Sequence, residues 1–324
     1  MSLVVSRLKA ELRRWVNSSS AWIGFRLASS VVFQHTLSAT VIFAGLGLHT
    51  GRDVRVAVKP AGPGTGLVFV RTDILDRDNR IPARGDAVTQ TRLGTVVGNA
   101  GGATVSTIEH LMAALAALGV DNAVVELDGP EVPVMDGSAS PFVRLLDRVG
   151  LRQQAAPRRY IEILEPIEVV DGDRRAALSP AAQFEMSFEI EFDSDAIGRQ
   201  RVDLVMDEAG FRRELADART FGFVDEVEAL RRAGLALGGS MDNVVVIDGD
   251  RVLNPEGLRR PDEFVRHKAL DALGDLYLLG APVIGRFEGH KSGHEMNNAL
   301  VRALLDRPDA WRERLFADEL AQAV

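Results

Sequence analysis

A chain of 324 residues with no cysteine has no disulfide, no thiolate nucleophile and no cysteine-held metal, so a metal would need its six histidines or its carboxylates. A net charge of −8 argues against a nucleic-acid partner, and no run reaches the roughly 18 uninterrupted apolar residues of a membrane-spanning helix. The length exceeds what one compact core usually takes and predicts two domains.

Residues 1–33 stand apart, with five basic residues against one acidic. Leu8, Leu12, Trp15 and Val16 share a helical face opposite the basic residues, a pattern able to touch an anionic membrane surface. The apolar runs are too short for a signal peptide, and the segment is read as a disordered extension with no stable membrane insertion. From Gln34 the pattern turns regular: a strand, a glycine-rich turn and a second strand with alternating Val54, Val56 and Val58. The turn GLGLHTG lacks the Lys-Ser/Thr ending of a phosphate loop. "STIEHLMAALAALGV" is the first strong helix, with Ser106 and Glu109 spaced as a capping box and Leu111, Leu115 and Leu118 as an apolar stripe. "DNAVVELDGP" reads as a strand and "SPFVRLLDRVG" as a helix. The polar, proline-bearing residues 153–159 read as a linker between a first domain, 34–154, and a second, 155–324.

The second half repeats the grammar. Strands are expected in "YIEILEPIEVV" and "FEMSFEIEF", helices over 207–215 and 225–233, a strand at "NVVVID", then helices from Phe264 and from His294. Strands grouped ahead of helices in both halves predict an α+β fold of two layered domains, each a β-sheet packed on helices.

Chemistry concentrates in four places. "FVRHKALDALGDLYLLG" carries His267, Asp271 and Asp275 on one stripe of an otherwise apolar helix, because residues three and four apart share a face. Such a stripe is either a set of polar partners with Lys268 nearby, or a metal site, since His and Asp at i, i+4 can point at one cation. "EHLMAAL" sets Glu109 beside His110, an acid next to a possible ligand and placed to take a proton from an attacking water. "GHKSGHEMNN" puts His294 at a helix start, where Asp275 would restore the imidazolium that a general acid needs. "ARTFGF" adds the Thr220 hydroxyl ahead of two phenylalanines, able to hold an oxyanion against an apolar wall.

Together "STIEHLMAAL", "MDGSASPFV", "ARTFGF", "GGSMDNVVVID", the block from Val252 to Gly280 and "KSGHEMNN" resemble the UDP-3-O-acyl-N-acetylglucosamine deacetylases, in order and over roughly 34–305. The resemblance implies Zn2+ held by His110, His267 and Asp271, with Glu109 as general base and His294 as general acid. It implies that Asp275 orients His294, Thr220 bonds the oxyanion and Lys268 contacts the substrate. Phe221, Phe223, Leu93 and Met241 become candidates for an apolar passage, and His49 for a wall of the site. The implied fold sandwiches helices between two sheets and gives each domain a small insert, the second, within 193–237, taking the fatty acyl chain. The implied reaction removes the N-acetyl group of UDP-3-O-(3-hydroxyacyl)-N-acetylglucosamine, the committed step of lipid A and lipopolysaccharide synthesis in Gram-negative bacteria. The enzyme is expected to be a cytoplasmic monomer acting on a small UDP-sugar lipid. Two departures stand out: the basic N-terminal extension, and Arg174 where many members carry lysine. The rival readings are an amidohydrolase for another N-acyl sugar and a catalytically dead sugar-nucleotide binding module. The second should have lost Glu109, His294 or a ligand, and all are present.

Overall fold

The computed structural model describes residues 32–315, so the expectations for 1–31 lie outside the described residues. Phe33 opens the strand Phe33–Leu37, which pairs antiparallel with Leu151–Pro157. Residues 153–157 of the expected linker are therefore strand, and the boundary drawn at 154 falls inside it. The segment hid because its ribbon faces solvent: only Gln154 is buried, with its amide bonded to Ala61 and Asn122, so no apolar alternation marks it.

The first sheet runs Val41–Leu46, Asp53–Pro60, Ala123–Leu127, Leu67–Arg71, Arg80–Pro82. Val54, Val56 and Val58 point inward from its second strand, as their period of two requires. Helix α1, Glu109–Ala117, buries Leu111 and Leu115, and helix α2, Ser140–Val149, meets the sheet through a Phe142–Phe43 edge contact at 5.6 Å. The capping box does not form. Ser106 Oγ donates to the Pro130 carbonyl, and the Glu109 carboxylate turns away from its own helix toward Thr95. A tertiary partner has displaced the local one.

The second sheet has seven strands. Ile167–Asp171, Arg174–Ser179, Val283–His290, Arg159–Ile163 and Trp311–Leu315 lie side by side, while Phe184–Glu191 adds to Val283–His290 and carries Arg199–Val205. Helices α3, Glu208–Glu214, and α4, Val224–Arg232, fall where expected. Helix α5, Glu263–Leu276, packs on Phe184–Glu191 and Arg199–Val205 with one side and on α1 with another. Helix α6, His294–Leu305, packs beside α5 and on Ile167–Asp171. Helices α1, α2, α5 and α6 thus form the layer between the two sheets that the resemblance implied, while α4 lies outside it.

Small units flank the layers. Val88–Gln90, Val96–Gly98 and Thr104–Val105 form one three-stranded sheet, and Phe221–Phe223, Val245–Asp248 and Arg251–Val252 another. The second unit, with α4, reaches Val252 and so outruns the 193–237 limits expected for the insert. Its parallel pairing of Phe221–Phe223 with Val245–Asp248 joins segments over twenty residues apart, which no local pattern announces.

Candidate metal centre and active site

Helix α5 presents His267 and Asp271 one turn apart, with His267 Nε2 3.4 Å from Asp271 Oδ1. From α1, His110 brings its Nε2 to 3.5 Å from the same oxygen. All three residues are buried, and their donor atoms lie within 4.8 Å of one another. Glycine makes the approach possible. A Cβ on Gly274 would sit 2.1 Å from the Glu109 carbonyl oxygen, so α1 can lie against α5 only because that position has no side chain.

The donor set fits a divalent metal on its own chemistry. Asp271 Oδ1 is buried with no hydrogen-bond partner, a costly state for a carboxylate unless a cation meets it. His267 Nδ1–H donates to the Ala218 carbonyl at 3.1 Å, which leaves the Nε2 lone pair facing Asp271 and His110. Burial, with His110 and Lys268 nearby, pushes the His267 imidazole down to about 4 against the pull of Asp271, so it is neutral, as a ligand must be. Burial opposes ionisation of Asp271, but His267 and Lys268 hold its carboxyl well below the usual range. Lys268 Nζ donates to Asp271 Oδ2 at 3.0 Å.

Beside this set lie a carboxylate and a cationic imidazole. His294 Nδ1–H donates to Asp275 Oδ2 at 2.9 Å, and His294 Nε2 stands 4.0 Å from Glu109 Oε1 and 3.8 Å from Asp271 Oδ2. Burial lowers the affinity of His294 for its proton, but Asp275, then Glu109 and Asp271, outweigh it and raise it to about 9. Glu109 is raised by burial, against the opposing pull of His294 and His110. Its Oε2 accepts from the Thr95 N–H at 3.0 Å.

A cavity of about 380 Å³ is lined by Glu109, His110, His267, Lys268, Asp271 and His294, with Arg174 at its wall. It shares Leu93, Thr220, Phe221 and Phe223 with a larger, mainly apolar cavity of about 600 Å³ that adds His49 and Met241. Every site residue expected from the sequence therefore lines one of the two cavities, except Asp275, which lies behind His294. His49 donates its backbone N–H to Glu131 and sets its Nε2 3.1 Å from the Leu93 carbonyl, away from the donor set. Thr220 is held by its backbone, donating to Gly137 O and accepting from Val245 N, both at 2.8 Å.

Three contributors escaped the sequence reading. Thr95 and Asn297 both bond Asp275, and Phe192 meets Phe221 edge-on and Phe223 at a tilt on the cavity wall. Asn297 sits three residues after His294 on the same helix, a spacing that marks a shared face. Thr95 and Phe192 carry no comparable signal.

An α+β fold that converges a buried His-His-Asp set, a carboxylate and an imidazolium at the foot of an apolar passage defines a metal-dependent hydrolase. Residues 34–306 match the family of the UDP-3-O-acyl N-acetylglycosamine deacetylases. The chain belongs to that family. A UDP-3-O-acyl-N-acetylglucosamine deacetylase of Phenylobacterium zucineum (strain HLK1) is 71% identical over 293 residues, covering 90% of this chain and 100% of that protein. Enzymes of the same name from Acidithiobacillus ferrooxidans (strain ATCC 53993 / BNL-5-31) and Shewanella sp. (strain W3-18-1) are 51% and 50% identical, covering 90% and 89% of this chain and 96% and 95% of their own.

Proposed function

We infer that this protein removes the N-acetyl group of UDP-3-O-(3-hydroxyacyl)-N-acetylglucosamine as acetate, the committed step of lipid A synthesis, with Zn2+ held by His110, His267 and Asp271. When bound there, zinc supplies Lewis acidity to the acetamide carbonyl and lowers the pKa of water. Glu109 takes the proton of the attacking water. The developing oxyanion accepts from the Thr220 hydroxyl. As the C–N bond breaks, His294 Nε2–H gives its proton to the departing amine, while Asp275 keeps the ring oriented and charged. Lys268 holds Asp271 ionised and faces the substrate from the cavity wall. The acyl chain takes the passage of Leu93, Phe221, Phe223 and Met241, with His49 in its wall. The nucleotide end keeps to the polar cavity near Arg174.

The observation that carries this reading is the 4.0 Å gap between Glu109 Oε1 and His294 Nε2, a proton acceptor facing a proton donor beside the donor set. We read the chain as two units that meet within the strand Leu151–Pro157, the first supplying Glu109 and His110 and the second His267, Asp271, Asp275 and His294. The enzyme works as a monomer, since one chain provides every group named, and in the cytoplasm, where nucleotide sugars are made. Among the described residues no helix is long and apolar enough to cross a membrane. The test is acetate release from the 3-O-acylated UDP-sugar and from UDP-N-acetylglucosamine, before and after chelation and zinc restoration. Strong preference for the acylated substrate, lost and regained with zinc, is expected. Equal turnover of both would favour an amidohydrolase for another N-acyl sugar, and activity untouched by chelation would remove the metal assignment.

A further inference from the structure

Glu109 lies in the first half of the chain and the His294–Asp275 pair in the second, yet one residue touches both. Thr95, 1% exposed, donates its backbone N–H to Glu109 Oε2 at 3.0 Å and its hydroxyl to Asp275 Oδ1 at 2.6 Å. The same Oγ1 lies 3.3 Å from His294 Nδ1. A hydroxyl has a single proton, and an ionised carboxylate only accepts, so that proton goes to Asp275. The oxygen left over on Asp275, Oδ2, accepts from His294 Nδ1 and from Asn297 Nδ2, each at 2.9 Å. Both carboxylate oxygens are thereby committed and the carboxylate plane is fixed. The ring of His294 follows that plane. On the other side, the neighbouring Gly94 presents so little bulk that a Cβ there would come within 2.9 Å of Glu109 Oε1. Gly94 thus leaves room for one Glu109 oxygen, and the Thr95 N–H holds the other. Thr95 itself does not line the cavity.

We propose that Thr95 is a positioning residue, which sets Glu109 and the His294–Asp275 pair in register across the two halves of the protein and so governs turnover and not substrate binding. This rests on the reading of Glu109 as proton acceptor and His294 as proton donor. Thr95→Val keeps the shape and the backbone N–H but removes the hydroxyl, stranding Asp275 Oδ1 in a buried place. Thr95→Ser keeps the hydroxyl and loses one methyl group. Steady-state kinetics with the acylated UDP-sugar, metal content and thermal midpoints are measured on the metal-loaded full chain.

Thr95→Val should lower kcat by about ten- to a hundredfold, the loss usual for a partner behind a reacting group. Its KM should stay within about twofold, with metal content unchanged. Thr95→Ser should recover most of the lost kcat. Wild-type kcat in Thr95→Val overturns the proposal, as does a raised KM at unchanged kcat. A Thr95→Ser variant as slow as Thr95→Val also overturns it, because packing and not the hydroxyl would then matter. If Thr95→Val fails to fold, Thr95→Ser against Thr95→Ala reads the same difference. Failure of the wild-type protein to release acetate would instead strike the functional reading, so the two are told apart.

Discussion

Gly274 offers a case where two local effects have opposite signs and the geometry decides between them. In an ordinary helix interior, glycine to alanine gains about 1 kcal/mol from propensity alone. On α5 the new Cβ would stand 2.1 Å from the Glu109 carbonyl oxygen, 2.9 Å from its carbon and 3.1 Å from Ala113 N. Ordinary Cβ contacts begin at 3.4 Å, so α1 would have to retreat by about 1 Å. The atoms in the way are helix backbone, and no rotamer change relieves them. Overpacking of this kind costs about 1–3 kcal/mol, here toward the upper end, which outweighs the propensity gain and leaves a net loss of about 2 kcal/mol. A chain of this size should then melt roughly 3 °C lower. The displaced segment is the one that carries Glu109 and His110, and a misplacement near 1 Å at a reacting group costs about a hundredfold. Gly274→Ala should therefore lose stability, metal affinity and kcat together, read by thermal melts, metal titration and steady-state kinetics. A variant that melts higher than wild type at full activity would refute the close-approach argument and restore helix propensity as the governing effect.

His267→Ala and Asp271→Ala should each lose the tightly bound metal and the activity with it; stoichiometric zinc in either, by elemental analysis, would dismiss the donor set. Because His294 sits at about 9, its protonated form prevails at neutral pH and disappears as pH rises through that value, so kcat/KM should fall on the basic side. Asp275→Asn removes the strongest anionic support and should move that basic limb down by roughly 1–3 pH units. The comparison is between variant and wild type in the same metal, whose positive charge shifts both limbs alike; coincident limbs would mean another proton donor. Glu263, fully buried, binds Arg219 Nε at 2.9 Å and accepts the backbone N–H of Arg219 and of Arg259. Glu263→Ala strands that guanidinium and should cost about 3–5 kcal/mol in denaturant unfolding, whereas a loss under 1 kcal/mol would show that Glu256 and the Gly257 carbonyl suffice.

Where sequence reading went astray, a distant partner had overruled a near one. Ser106 and Glu109 have the spacing of a capping box, but Glu109 is buried beside His294, and the Thr95 N–H supplies its hydrogen bond instead. Residues 153–157 read as a linker because an exposed ribbon needs no apolar alternation to pair its backbone with Phe33–Leu37. Thr95 carries no local signal of this role. Its importance lies in Asp275, far along the chain.

What the sequence by itself determined is whatever a short period encodes. The i, i+4 step puts His267 and Asp271 on one face of α5, adjacency puts Glu109 beside His110, and alternation turns Val54, Val56 and Val58 inward. Backbone geometry enforces these relations within a few residues, so they survive in any surroundings that keep the helix or strand. Only the tertiary structure decided that α1 meets α5 over Gly274, which brings His110 to Asp271 and Glu109 to His294. It alone closed Thr95 onto Asp275 and joined the polar cavity to the apolar passage through Thr220 and Phe221. Those distances come from the packing of many distant side chains into one dense core, a sum that no local stretch of the chain contains.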